Sequence, residues 1–510
     1  MRNLTLRPRL TRRTALAAAG ATALSAALSS ARAAAGNTIR VAYPVPVGSL
    51  DPAKMRTGGL EYNYAHCVFN RLTAQNNKLE VMPDLAHSWD VTEDLKTYTF
   101  HLRPGVKFHN GKQLEAADVV FTYKRLMEKE TASVLRAALS VVSNVEAVDP
   151  LTVRFTLSSP YTDLAAVTAQ YQAQILSESI IDTITTKPIG TGPFRFVEYR
   201  PGDRLVVEKN PDYFVPGSPK IDGAVMHIIP EYTTAVAGME NGELDLIYDL
   251  PPEQIDKVKK SKVSRVEEVA CGSWEGIILN DAFKPFTDPR VREAFIKTID
   301  RQKFTDIAMF GHGLPTVTPI PPTHPYFRKD LLAPPDIAGA KKLLAEAGIG
   351  SDFPIEMIIA TGSPWEERLG VAFRDAAKQL GVKVTLRIVP GDKFDTEMEG
   401  KIPFSVDGFF GRPTPDMMVY SWYHSTGSWN NTLWHYSNPE VDKILDTARA
   451  TADKEEQKRL YGRFQEIVAK DGPCCMVFVR NFACGVSKRV QDFTGSPQMW
   501  VDINNVSLGT

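Results

Sequence analysis

The stretch FFGRPTPD, Phe409 to Asp416, sets an arginine between aromatic residues and a turn broken by prolines. A guanidinium presents five donors in a planar fork that matches a carboxylate, so Arg412 is a candidate for holding an anion. Two partners fit: an anionic group of a bound solute, or an internal pair with Asp407 or Asp416. A buried cation with neither would be strongly destabilising. Aromatic side chains crowd the same region: Phe409, Phe410, Trp422, Tyr423, Trp429 and Trp434. Trp and Tyr join apolar area to a polar tip and suit a pocket for a small, partly polar molecule.

Other chemistry finds less support. The histidines, His424 and His435 near this region among them, show neither H-x-x-x-H nor H-E-x-x-H spacing, so no intrinsic metal and no cofactor are expected. No G-x-S-x-G elbow suggests an acyl-transfer nucleophile, although a secreted hydrolase and a peptide-binding chaperone stand as alternatives to a transport role. GTGPF lacks a following Lys-Ser/Thr, and Pro193 removes an amide a phosphate cradle would use. The five cysteines, Cys67, Cys271, Cys474, Cys475 and Cys484, are odd in number and lack C-x-x-C spacing. They read as small buried residues, with a bridge from Cys474 or Cys475 to Cys484 as the alternative.

These residues need a scaffold, and 510 residues are enough for two or three lobes. With 43% hydrophobic and 23% charged residues the chain is globular. Residues 1–35 stand apart: six arginines, no Lys, Asp or Glu, and an Ala-rich run ending near ARAAAG. They read as an export signal, and TRRTAL resembles the twin-arginine type, with ordinary secretion as the alternative. Cleavage would remove six positive charges and take the formal net charge from −1 to −7, which argues against nucleic acid or anionic membrane as a partner. No later apolar run approaches the ~20 residues of a membrane span.

KTYTFHL and TVRFTLSS alternate as half-buried strands, with Tyr98, Phe100, Leu102, Val153, Phe155 and Leu157 inward. Between them DVVFTYKRLM places Val120, Tyr123 and Met127 on one helical face. A hairpin turns at Pro201-Gly202-Asp203. From about residue 285 helices alternate with strands: IAGAKKLLAEAG stops at Gly348 before PIEMIIA, and ERLGVAFRDAAKQLG stops at Gly381 before VKVTLRIV. Strand, helix, strand with glycine stops is a right-handed βαβ unit on a parallel sheet. NPEVDKILDTARA and EEQKRLYGRFQEIVAKDG supply two further helices, the second burying Leu460, Phe464 and Ile467.

Six segments in order carry a resemblance: the run from LAHSWDVTEDLKTYTFHL to ADVVFTYKRL, PIGTGPFRFVEYRPGDRLVVEKNPDYF, NGELDL, KPFTDPRVREAFIKTIDR, AKKLLAEAG and NPEVDKILDTARA. Together they resemble the peptide/nickel/opine family (family 5, cluster C) of ABC-transporter periplasmic solute-binding proteins. The resemblance implies an α/β fold: a two-lobed, clamp-like type II periplasmic-binding-protein fold with an extra α+β subdomain inserted in lobe I. It places lobe I at residues 36–70, 187–275 and 477–510, the subdomain at 71–186, and lobe II at 276–476. Two crossing strands, near Val269 to Ile278 and Met476 to Arg480, would form the hinge. Gly105, Gly111, Gly190 and Gly192 then suit tight turns, and Trp89, Phe100 and Phe108 the core.

The implied function is capture of a peptide-like or anionic small solute and its delivery to membrane permease subunits by a monomeric, exported, periplasmic protein without enzymatic activity. In peptide-binding members an aspartate in the matching turn pairs with the ligand's α-amino group. Arg412 stands there in this sequence, which reverses the sign and points to an anionic solute. The expected ligand contacts are Arg412, Trp422, Trp429 and Asn430 from lobe II, with Tyr43, Val45 and Trp274 from lobe I.

Overall fold

Two long strands organise the molecule: Ser264–Leu279 and Cys474–Ser487 pair antiparallel and are shared by the two halves of one 11-stranded sheet. On one side Leu246–Ile247 pairs with the Ser487 end, followed by Thr38–Tyr43, Gly223–Ile228, Arg204–Lys209 and Phe194–Arg200. On the other side Phe404–Phe409 pairs with Trp274 to Leu279, followed by Phe353–Ala360 and Val382–Val389. The register slips between Ala270 and Trp274, so the ladder breaks where one half passes into the other. This computed structural model describes residues 37–56 and 58–509; the arginine-rich leader lies outside them.

Each half packs helices on its sheet. In the second half Phe353–Ala360 and Val382–Val389 are parallel, joined by the helix Pro364–Ala377, as the βαβ reading requires. Gly348 and Gly381, at φ +76° and +77°, end their helices in the left-handed region. Pro289–Lys297 opens with Asp288 accepting from the Arg290 amide, and Asn438 caps Pro439–Arg449. The face that Val382 and Val384 begin is abandoned at Ile388, which is 49% exposed on this edge strand.

The inserted sheet runs Ala86–Val91, Thr97–Leu102, Thr152–Leu157, Val142–Asp149, all antiparallel, under the helix Ala116–Met127. The six alternating residues expected inward are all buried there. The helix buries Ala116, Val119, Tyr123 and Leu126, with Val120 and Met127 at the margins of that stripe. In Lys454–Asp471 the buried set is Leu460, Phe464 and Val468, with Ile467 only partly covered. Gly105 and Gly111 adopt φ +76° and +88°, as turns demand. Gly190 and Gly192 serve differently: a Cβ on them would lie 2.0 Å from the Val68 oxygen and 2.5 Å from the Cys67 oxygen, so they allow close chain approach.

All five cysteines are buried and free. The bridge to Cys484 is ruled out by geometry, because Cys474 and Cys475 lie on the same continuous strand as Cys484. Nine or ten residues of strand separate them by roughly 30 Å at ~3.3 Å each, against the ~4–7 Å between Cα atoms that a disulfide spans.

Candidate functional site

Arg412 occupies the short link between the strand Phe404–Phe409 and the helix Pro415–Tyr423. Gly411 lets that link pass: a Cβ on it would sit 2.5 Å from the Gly272 Cα, and its amide donates to Ser273 Oγ at 3.3 Å. Thr414 then caps the helix by accepting from the Met417 amide, with Pro415 in its first turn. Backbone contact on one side and a capped helix on the other fix where the arginine leaves the chain.

The arginine opens onto a cavity of about 1130 Å³. That is just above the ~300–1,000 Å³ of ordinary ligand clefts. Arg412 Nη1 donates to its own turn, to the Phe410 and Gly411 oxygens at 3.3 and 3.1 Å. Among the described residues no carboxylate lies within ion-pair distance of it. Neither internal partner is available. Asp416 is taken by Arg449, with bonds of 3.2 and 3.0 Å. Burial, with the charges of Glu399 and Glu275 nearby, pushes the Asp407 carboxyl well above its usual range.

Tyr62 and Tyr171 face the same space, their ring centroids 3.6 Å apart. Burial raises both phenols above their ordinary range, and the positive charge of Arg412 opposes that rise in each. Trp429 stacks on Trp422 at 5.3 Å with planes 10° apart, and Trp429 remains 37% exposed at the cavity wall. A flat aromatic platform therefore lines the same cavity as a cation that has no counter-ion among the described residues.

The other expected contacts lie elsewhere. Trp274, 3% exposed, packs behind the wall against Phe409, Trp422 and Trp434. Asn430 is 1% exposed and spends its amide on the His424 and Tyr436 oxygens and the Tyr436 amide, closing a loop. Tyr43 is buried against Tyr248, and exposed Val45 is not part of the cavity lining. His424 points to Asp446 at 3.4 Å, and His435 Nδ1 lies 3.2 Å from Asn280 Oδ1. Among the described residues no group of three His, Cys, Asp or Glu side chains is placed to hold a metal ion.

Three features of the site had not been anticipated. Tyr62 and Tyr171 lie too far from the turn in sequence to be joined to it by any local pattern. The segment from Ala132 to Val142, after the inserted subdomain's helix, forms a whole wall. Arg449 clasps Asp416 while lying 3.4 Å over the Tyr420 ring and 5.0 Å over the Tyr161 ring, and its oxygen accepts from the Thr162 amide at 3.0 Å. Burial holds the Asp416 carboxyl at about 6 even against the pull of Arg449.

Residues 80–431 match the bacterial extracellular solute-binding proteins, family 5 Middle. The chain is 28% identical over 526 residues to a di/tripeptide-binding protein 1 of Pseudomonas aeruginosa, covering 95% of this chain and 97% of that one. It is 28% identical over 476 residues to a glutathione-binding protein, GsiB, of Pectobacterium atrosepticum, covering 90% and 92%. The solved structure of AgaA of A. tumefaciens R10 with agropinic acid superposes with a TM-score of 0.82 at 25% identity, over 93% of this chain and 99% of that one. Proteins of this family are non-catalytic, which removes the hydrolase alternative. A family match across more than half the chain, a two-lobed fold with an inserted subdomain and a large cavity with an arginine on its wall converge: the chain belongs to the family 5 extracellular solute-binding proteins, as the solute-binding component of an ABC importer.

Proposed function

We propose that this protein captures a small anionic, peptide-like solute in the cavity beside Arg412 and passes it to its permease. The observation that carries the reading is the guanidinium of Arg412 on the wall of a 1130 Å³ cavity, with no carboxylate among the described residues to satisfy it. Relatives named for di/tripeptides and glutathione, and a structure holding agropinic acid, support it, since all these solutes bear carboxylates. The Trp422–Trp429 stack offers apolar area for the rest of the molecule.

In this reading residues 36–70, 187–275 and 477–510 are lobe I, 71–186 its subdomain and 276–476 lobe II. The interrupted pairing near Ala270 and Trp274 is the hinge. A solute touching both lobes stabilises the closed form, and the permease responds to that shape. The protein acts as a periplasmic monomer, exported through the twin-arginine route.

Calorimetry with glutathione and a panel of di- and tripeptides tests the role of Arg412. A hydrogen bond to a charged group contributes ~1.5–3 kcal/mol, so Arg412→Ala should weaken the bound solute about 10- to 150-fold. Unaltered affinity in a folded variant eliminates Arg412 as a solute contact.

A further inference from the structure

The cations of the cavity wall other than Arg449, which is bound to Asp416, come from three separate parts of the chain. Besides Arg412, the wall carries Arg56, Lys129 and Arg136, and among the described residues none of these four has a carboxylate within ion-pair distance. Among the described residues the only carboxylate in the lining is that of Asp416, already bound to Arg449. Glu128 and Glu130, neighbours of Lys129 in sequence, do not line the cavity.

The segment bearing Lys129 and Arg136 is held in shape. The Ala132 amide donates to the Lys129 oxygen at 3.1 Å, with Ala132 at φ +54°, a conformation non-glycine residues adopt at a cost. Arg56 Nη2 donates to the Ala132 oxygen at 3.0 Å, and Arg136 Nε to the Met127 oxygen at 3.0 Å. The two guanidinium groups are thus steered by backbone oxygens at the helix's last residue and in the turn that follows it, with further donors left over for a ligand. Apolar Val134, Leu135 and Ala138 continue the wall beside them.

From this geometry we infer that the cavity holds a solute with two anionic groups: one on Arg412, the other on the cluster of Arg56, Lys129 and Arg136 at the inserted subdomain. The inference rests on the reading of Arg412 as an anion site and extends it to the class of solute. A second negative group drawn to the subdomain makes one molecule bridge cations on both sides of the cleft, which a monoanion cannot do. Such a bridge favours closure through charge on both walls.

The test compares paired probes within the same protein: α,ω-dicarboxylates of four to nine carbons and glutathione, each beside its monoethyl ester, titrated by calorimetry at 50 and 300 mM salt. At least one diacid should bind wild type about fivefold or more tightly than its ester, as expected for one well-placed charge pair, and the advantage should shrink at high salt. In Lys129→Ala/Arg136→Ala that advantage should vanish. The diacid-to-ester ratio within one variant does not depend on how much of the preparation is folded. If no diacid outbinds its ester, or the double variant keeps the preference, the second anion site is overturned. Failure of the Arg412 reading looks different: Arg412→Ala would then bind diacids and esters as wild type does.

Discussion

The clasp between Arg449 and Asp416 gives a quantitative expectation. Asp416 is 3% exposed, bonded to the guanidinium through both oxygens, with Tyr161 and Tyr420 closing over the arginine. Arg449→Ala leaves a buried carboxylate without its cation, a change that destabilises by ~3–5 kcal/mol. The loss should depend on pH in a defined direction. Burial first, against the opposing pull of Arg449, raises the folded-state value of Asp416 from 3.8 to about 6. The stabilising contribution of a raised carboxyl is complete below the unfolded value and is lost as pH climbs through the folded one. Without Arg449 the carboxyl titrates higher still, so the variant discards its buried charge by protonation at mildly acid pH. Urea unfolding followed by circular dichroism should therefore show a deficit of about 3–5 kcal/mol at pH 7.5 that falls to less than about half at pH 5. Adding Asp416→Asn should recover most of the loss at pH 7.5. A deficit under about 1 kcal/mol, or one equal at both pH values, would refute the reasoning.

Two further outcomes follow from the region where the paired long strands slip register. Glu275, 4% exposed and 3.4 Å from Arg480 Nε, is raised by burial to about 7, so its contribution fades as pH rises from its unfolded value of 4.5 through about 7. Wild type should gain melting temperature relative to Glu275→Gln as pH drops from 8 to 6, and parallel curves in a thermal-shift series would contradict this. Gly411→Ala places a methyl group 2.5 Å from the Gly272 Cα; overpacking of that kind destabilises by ~1–3 kcal/mol. The same variant should lose solute affinity with Arg412 intact, and calorimetry showing wild-type binding would separate the arginine's position from that contact.

The elements legible in the sequence were those with a strong local rule behind them. Period-two strands such as Thr97–Leu102, and helices closed by Gly348 and Gly381, occur where short-range pattern predicts them. Where an element lies at an edge, the pattern loosened: Ile388 points to solvent because nothing packs on the last strand there. Of the expected contacts, Arg412, Trp422 and Trp429 meet at the cavity because they lie within 18 positions of one another, around one helix. Trp274, Tyr43 and Asn430 carry the right chemistry but are spent on packing and loop closure, which residue type cannot reveal. Tyr62, Tyr171 and the wall from Ala132 to Val142 arrive through long-range assembly and leave no mark in any short window.

The shared pair of strands also limits how the gene could be rearranged. Cys474–Ser487 pairs with Leu246–Ile247 in one half and with Gly313–Pro315 in the other, and Ser264–Leu279 runs along it and carries Phe404–Phe409. A fragment ending before residue 474 would leave Leu246–Ile247 and Ser264–Leu279 with unpaired edges. Neither half can therefore complete its sheet until residues 474–487 have left the ribosome.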